Sequence, residues 1–324
     1  MKIILDAMGG DNAPQAPVEG AVLAAERYGC DIFLTGDEAR LSALLQGRGA
    51  GHITIVPTTE VITMEDKPST AIRQKKDSSM SVGLRMLAEG LVTKRIKGVR
   101  RAALGTLVPQ QNGGKAILMD CGANAECTPE YLVQFALMGY LYMKCQQGVE
   151  RPRVALVNNG AEEGKGDPLR QETYRLLQQA HAEGRICFVG NLEGRDIFSG
   201  SAEVLVCDGF TGNVLLKTVE GTAGFLLREL KEIFYANGLS KLAALALKPG
   251  LKRLRGKLDY KSVGGAPLFG ISKPVIKAHG SSDARAFCAA FEQTILFSHC
   301  GFISQVEEKI AQLSFGIEKE EKNP

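Results

Sequence analysis

The sequence predicts an α/β protein with a mostly parallel sheet flanked by helices. The first observation is a repeated pattern of apolar runs ending in Gly, Asn or Asp. It occurs at Ile3 to Asp11, Phe33 to Asp37, Ile117 to Asn124, Val154 to Gly160, Cys187 to Asn191 and Val204 to Gly209. Each reads as a buried strand that delivers a polar turn to a sheet edge. The second observation is the strand, turn, helix rhythm between these runs, which is the pattern of a parallel sheet covered by helices. Ligands of open α/β sheets bind at the carboxyl ends of the strands, so the chain is expected to build one polar site from several strand ends. Glycine there lets backbone N–H groups approach an anion closely.

Taken in order, a strand ends at Asp6 and residues 14–25 read as a helix. Residues 31–35 form the next strand, 37–45 a helix and 53–57 a third strand. Residues 67–80 are polar and rich in Ser and Lys, and a helix follows over 81–89. The rhythm fails after Gly90, where 91–99 is basic and helix-like and no strand intervenes before 102–109. Strands then follow at 116–120, 154–158, 186–189 and 204–207, with helices over 128–144, 168–183 and 213–235. A strand at 275–278 and one or two closing helices over 282–313 complete the chain. Residues 1–315 are read as one catalytic domain and 316–324 as a frayed charged tail.

The bulk composition narrows the function. The chain has 324 residues, 44% hydrophobic, enough for a substantial core. A net charge of +3 with no Trp argues against a nucleic-acid platform. The eight Cys include no C-x-x-C pair and are expected to be reduced and mostly buried, as in a cytoplasmic protein. The N-terminus reaches Asp6 too soon for a signal peptide, and no apolar run has the length of a membrane span.

Four segments bear on chemistry. Asn158-Asn159-Gly160 through Gly164-Lys165-Gly166-Asp167 follows a strand and precedes a helix. It misses the P-loop pattern, since the spacing is one residue short and Gly166 stands where Ser or Thr would hold magnesium, so nucleotide hydrolysis is rejected. Its Gly-flanked Lys still suits an anion, or a solvated surface loop. Asp208-Gly209-Phe210-Thr211-Gly212-Asn213 opens a helix whose N–H groups and dipole favour phosphate, unless it is an ordinary capped turn. Residues 67–80 gather Arg73, Lys75, Lys76 and hydroxyls as a clamp for an acidic substrate or as a solvated charge run. His279-Gly280-Ser281-Ser282 lacks the spacing of a hydrolase triad. No zinc-ligand spacing and no dinucleotide glycine motif occur, and no cofactor or metal is expected.

A fifth segment differs in kind. Residues 240–258 carry six Lys or Arg and no acid, with Leu247, Leu251, Leu254 and Leu258 at helical spacing beside Lys252 and Arg253. Pro249-Gly250 is expected to divide it into two short amphipathic helices. A basic amphipathic hairpin over 239–258 fits an anionic membrane surface, or a second subunit.

Together these motifs resemble the PlsX family, the acyl-ACP:phosphate acyltransferases of bacterial phospholipid synthesis. The resemblance rests on Asp6-Ala7-Met8-Gly9-Gly10-Asp11, Lys75-Lys76-Asp77-Ser78-Ser79-Met80, Gly122-Ala123-Asn124 and Gln134 to Gly139. It continues through Asn158 to Gly166, Gly190-Asn191, Asp208 to Asn213, Gly264-Gly265-Ala266-Pro267 and His279 to Ser282. It implies reversible transfer of a fatty acyl group from acyl carrier protein to inorganic phosphate, and a fold related to isocitrate and isopropylmalate dehydrogenases. It also implies a homodimer, peripheral membrane attachment and delivery of acyl phosphate to a membrane glycerol-3-phosphate acyltransferase. On that reading Lys165 meets phosphate or the oxyanion, with Asn158, Asn159 and Asn213 as donors. Gly9, Gly10, Asp11, Ser78, Asn124, Gly164, Asp208, Gly209, Thr211, Gly212 and His279 bind substrate or phosphate, and Arg73, Lys75 and Lys76 meet phosphate or the acidic carrier.

One departure from the family pattern coincides with the broken rhythm. About twenty residues, the size of a strand, turn and part of a helix, are missing between Gly90 and Leu91. This motivates the alternative of a catalytically impaired membrane-peripheral binding or scaffold protein.

Overall fold

The computed structural model describes residues 1–48, 51–63, 65–89, 95–258 and 264–313. The junction between Gly90 and Leu91 lies outside them. The chain forms two compact units, each assembled from discontinuous stretches, so no single linker in the sequence marks them.

The first unit comprises residues 1–94, 261–266 and 273–299. Its sheet contains β1 (Lys2–Asp6), β2 (Asp31–Gly36) and β3 (Ile53–Pro57), paired in parallel in that order. Ile32 and Leu34 alternate inward from β2 and are fully buried, as the period-2 geometry of a strand requires. Helix α1 (Gln15–Tyr28) lies against α9 (Ala284–His299) at Gly20, where an added Cβ would stand 2.3 Å from Phe287 Cβ. Helix α2 is Glu38–Leu45, capped by Asp37 through the Arg40 N–H at 2.8 Å. The polar stretch after residue 66 is largely helical. It contains helix α3 (Pro68–Gln74), a turn, and the start of α4 (Ser79–Glu89). Pro at the first helical position and a donor-poor N-terminus suit α3.

The second unit comprises residues 95–260, 267–272 and 300–324. Its strands are β4 (Ala103–Pro109), β5 (Lys115–Met119), β6 (Arg153–Asn158), β7 (Cys187–Glu193), β8 (Val204–Val206) and β9 (Ala266–Phe269), the last reaching one residue into the first unit's stretch. Their order is β9-β4-β5-β8-β6-β7. β5, β8, β6 and β7 pair in parallel, whereas β4 runs antiparallel to both β5 and β9. A short strand β10 (Ile276–Lys277) belongs to the first unit's residues. Helix α5 (Pro129–Gln147) is buried through its middle, from Leu132 to Met143 except at Tyr140, and at Gly139 a Cβ would meet Val204 Cγ1 at 2.6 Å. Tyr142, Phe269 and Phe302 form an edge-to-face cluster with centroids 5.1 and 5.5 Å apart at its two Phe269 contacts. Helix α6 is Pro168–Ala182 and α10 is Phe302–Ala311.

Three expectations are revised. Residues 95–99 are not helical: Arg95 bridges to Ile271, and Gly98 turns the chain at φ +87°. Gly190-Asn191 is not a strand end. β7 runs on to Glu193, the β6–β7 register shifts between Val154 and Leu156, and the irregularity absorbs Gly190 at φ +102°. Pro249 does not divide the basic segment. Helix α8 (Gly238–Leu258) is continuous with Pro249 inside it, and it packs back on α7 (Gly209–Tyr235). Proline's fixed φ is compatible with a helix, and at an exposed position water can take the carbonyl that loses its partner. The hairpin is therefore the pair α7–α8. The side chains of 252–258, including Lys252, Arg253, Leu254 and Leu258, lie outside the described residues.

Candidate active site

Because β5, β8 and β6 are parallel neighbours, their carboxyl ends open on one edge. Directly beyond them stand Asp120, Asp208 and the terminal residue of β6, Asn158.

Asp120 is fully buried. Its Oδ1 accepts from the N–H groups of Leu104 (3.0 Å), Gly122 (3.1 Å) and Ala123 (3.0 Å). Its Oδ2 accepts from the Asn124 N–H at 2.7 Å and Asn124 Nδ2 at 2.8 Å. The Gly122-Ala123-Asn124 turn is thus an anion nest that already holds the chain's own carboxylate. Asn124 Nδ2 also donates to Ala102 O at 2.7 Å, and Asn124 O accepts from the Gly209 N–H at 2.7 Å. One residue ties the ends of two strands and the start of α7 together.

Asp208 is the N-cap of α7. It accepts the Thr211 N–H at 2.8 Å and the Thr211 hydroxyl at 2.8 Å. Asp167 caps α6 in the same way, through the Arg170 N–H at 2.9 Å. The Arg170 guanidinium joins the two caps, donating to Asp167 Oδ2 at 2.6 Å, to Asp208 Oδ2 and to Thr211 Oγ1 at 2.8 Å. Burial alone would raise the Asp208 pKa, but the Thr211 donors and Arg170 outweigh it and hold the carboxyl below its usual range. The helix end expected to bind phosphate is capped by this carboxylate. Gly209 and Gly212 serve close packing there, and a Cβ on Gly212 would stand 2.0 Å from Asp120 O. Asn213 lies beside Gly122, where an added Cβ would be 3.8 Å from the Asn213 side chain.

The Lys165 loop is anchored by Asn158, which is buried. Its Nδ2 donates to Lys165 O at 3.0 Å and its Oδ1 accepts the Asn159 N–H at 2.8 Å. Gly166, at φ +94°, passes so close to Asn158 that a Cβ would be 2.6 Å from Oδ1. Gly164 O accepts from Gln171 Nε2 at 3.1 Å. Lys165 itself is half exposed, 51%, and among the described residues its ammonium has one charged neighbour, Glu162 Oε1 at 4.0 Å. Its ammonium is available to an incoming anion. Sequence reading did not single out Arg170 or Asp120. Asp120 ends one of the repeated strand patterns, but nothing in the sequence shows which strand ends become neighbours.

Thiols border this edge. Burial pushes Cys127 up to about 11 and raises Cys207 well above the ordinary thiol range. Both are protonated at neutral pH and are poor nucleophiles.

The other expected residues lie in the first unit. Asp11 N–H donates to Gly280 O at 2.8 Å, and Asn12 Nδ2 to Ser282 O at 3.1 Å, so the Gly9-Gly10-Asp11 turn is joined to the His279 loop. Gly10 sits at φ +98°, with Gly280 O 3.1 Å from where a Cβ would be. His279 Nδ1 lies 3.0 Å from Ser281 Oγ. Lys75 Nζ is used internally, by Asp66 at 2.6 Å and Val61 O at 2.9 Å. Ser78 is buried and accepts the Ser81 N–H at 3.2 Å, capping α4. Among the described residues Arg73 and Lys76 are not tied down in this way.

In the second unit a cavity of about 610 Å³ is lined by Arg95, Arg100, Arg101, Asn124 and Tyr131, among others.

A family profile described as Fatty acid synthesis protein matches residues 1–305. The chain belongs to this family, the PlsX family of acyltransferases. It is 42% identical to the phosphate acyltransferase of Clostridioides difficile, over all of this chain and 99% of that protein. It is 44% identical to the phosphate acyltransferase of an Exiguobacterium species, over 92% of this chain and 96% of that protein. The C. difficile alignment spans 344 positions while this PlsX-family chain has 324 residues, so the relative carries residues with no counterpart here. The fold is also that of a phosphotransacetylase from Streptococcus pyogenes, with TM-score 0.56, 16% identity and coverage of 95% and 94% of the two chains. A branched-chain phosphotransacylase from Enterococcus faecalis gives TM-score 0.55 at 13% identity, covering 93% and 100%.

Proposed function

We propose that this PlsX-family chain transfers a fatty acyl group from the thioester of acyl carrier protein to inorganic phosphate, giving acyl phosphate, and that the reaction is reversible. The observation that carries the reading is the available Lys165 ammonium at an edge where burial holds two thiols, Cys127 and Cys207, protonated. In this reading the edge supplies charge, and the nucleophile is a phosphate oxygen from solution. A phosphate oxygen attacks the thioester carbonyl carbon, and the carbonyl electrons move onto oxygen. The tetrahedral intermediate then collapses, the C–S bond breaks, and the thiolate leaves and takes a proton from solvent. Lys165 would meet the anion, and Asn158 would hold the lysine loop in place. Preorganised charge at a developing oxyanion is worth several kcal/mol. Acyl-phosphate formation from acyl carrier protein and phosphate, followed by hydroxamate trapping, tests the reading; no trapped product from folded protein would sink it.

The acyl phosphate would pass to a membrane glycerol-3-phosphate acyltransferase. Support for membrane attachment is the apolar exposure of the α7–α8 pair: Phe225, Leu226, Ile233, Tyr235, Leu245 and Leu247 are all more than half exposed. Among the described residues no single helix is long and apolar enough to cross a membrane. A surface-lying pair fits those facts, with a homodimer contact as the competing use of the same face.

A second reading is favoured by the shorter length relative to the C. difficile protein. In it the chain keeps binding or scaffolding at the membrane and has lost turnover. Carrier-independent liposome binding by protein that makes no acyl phosphate would select it.

A further inference from the structure

The loop that enters β4 places Arg95, Arg100 and Arg101 around one cavity together with Asn124 and Tyr131. Among the described residues none of the three guanidinium groups pairs with a carboxylate. Arg95 instead donates to Arg100 O, and Arg101 lies over the Tyr131 ring, 5.9 Å from its centroid. Like charges gathered without a directly paired carboxylate repel one another and make the local potential positive.

The loop is fixed rather than left to relax that repulsion. Gln134, a buried side chain of α5, accepts the Arg100 N–H at 2.8 Å and donates to Gly98 O at 3.0 Å. Asn124 Nδ2 holds Ala102 O at 2.7 Å on the other side. Two amides thus pin the backbone on either side of Arg100 and Arg101. The same Asn124 closes the Asp120 nest, so the cavity adjoins the strand-end edge.

We propose that this arginine cavity is a binding subsite for a phosphate group. Guanidinium groups match phosphate oxygens bidentately, and fixed donors lose little freedom on binding. The cavity volume of about 610 Å³ lies in the range of roughly 300–1,000 Å³ typical of small-molecule sites. It has room for a phosphate carried on an organic arm as well as for the free ion. The two sources are the phosphopantetheine arm of the carrier and inorganic phosphate, and naming them rests on the acyl-transfer reading.

Isothermal titration of the full chain with 4′-phosphopantetheine, with pantetheine and with inorganic phosphate tests the subsite. At least one phosphate-bearing compound is expected to bind and to weaken about tenfold or more in Arg101→Gln and in Arg100→Gln. Loss of phosphopantetheine binding alone identifies the esterified source, and loss of phosphate binding identifies the free ion. Both side chains are exposed, so thermal melts should match wild type. Unchanged affinity in both variants, or no binding of either phosphate compound to wild type, overturns the proposal. Hydroxamate trapping in parallel separates the two ideas. Arginine-dependent binding without acyl phosphate retains the subsite and sinks acyl transfer; acyl phosphate formed with unchanged phosphate and carrier KM in the variants does the reverse.

Discussion

Asn124 binds Asp120 twice, through its backbone N–H at 2.7 Å and its side-chain amide at 2.8 Å, both to the same carboxylate oxygen. Asp120 is thereby the keystone of the strand-end edge, a buried carboxylate satisfied by the surrounding turn. Replacing it with Ala leaves the buried Leu104 N–H without a partner, at about 1–3 kcal/mol, and frees the turn N–H groups of Gly122 to Asn124, which water can reach more readily. Asp120→Ala is expected to lose about 1–3 kcal/mol in urea unfolding, and an unchanged unfolding midpoint would remove its structural role.

Lys165 is half exposed and makes one long contact with Glu162. Lys165→Ala should therefore leave the unfolding midpoint unchanged and lower acyl-phosphate turnover on the order of a hundredfold. Turnover within about twofold of wild type would take Lys165 out of the chemistry.

Asp208 has its pKa depressed when folded, net of a burial effect that opposes the Thr211 and Arg170 contributions. The sign follows: the stability it contributes is full above the unfolded carboxyl pKa near 3.8 and is lost as pH falls through the lower folded value. Acid unfolding of wild type should be steeper below about pH 4 than that of Asp208→Asn. Parallel curves for the two proteins would contradict this linkage.

Gly212 faces Asp120 O at a distance that excludes a side chain. Gly212→Ala must push α7 away from the strand ends and should cost about 1–3 kcal/mol, as overpacking does. A thermal melt like wild type would show that the helix start moves freely.

Leu245 and Leu247 are 65% and 53% exposed on α8. Leu247→Glu should leave folding intact and abolish sedimentation with anionic vesicles. Retained vesicle binding together with a fall from dimer to monomer would assign the face to a second subunit.

The strands other than β9, and most helices, were legible because buried strands are short apolar runs with polar ends, and Gly, Asn and Asp punctuate them. Lys165 and Asp208 were visible for the same reason, as polar residues at such ends. Continuity of α8 through Pro249 was not legible, since local propensity points to a break, whereas at this exposed position water can take the carbonyl that loses its partner. Neither was the bulge that carries β7 past Gly190.

The sequence by itself determined that polar turns would sit at the ends of parallel strands, because that pattern is local. Tertiary structure decided which ends meet. Strand order makes β5, β8 and β6 neighbours, so Asp120, Asp208 and Asn158 share an edge although they are far apart in the chain. It also turned Arg170 into the link between two helix caps and drew Arg95, Arg100 and Arg101 around one cavity. Such convergence depends on long-range register, which no local run of residues encodes.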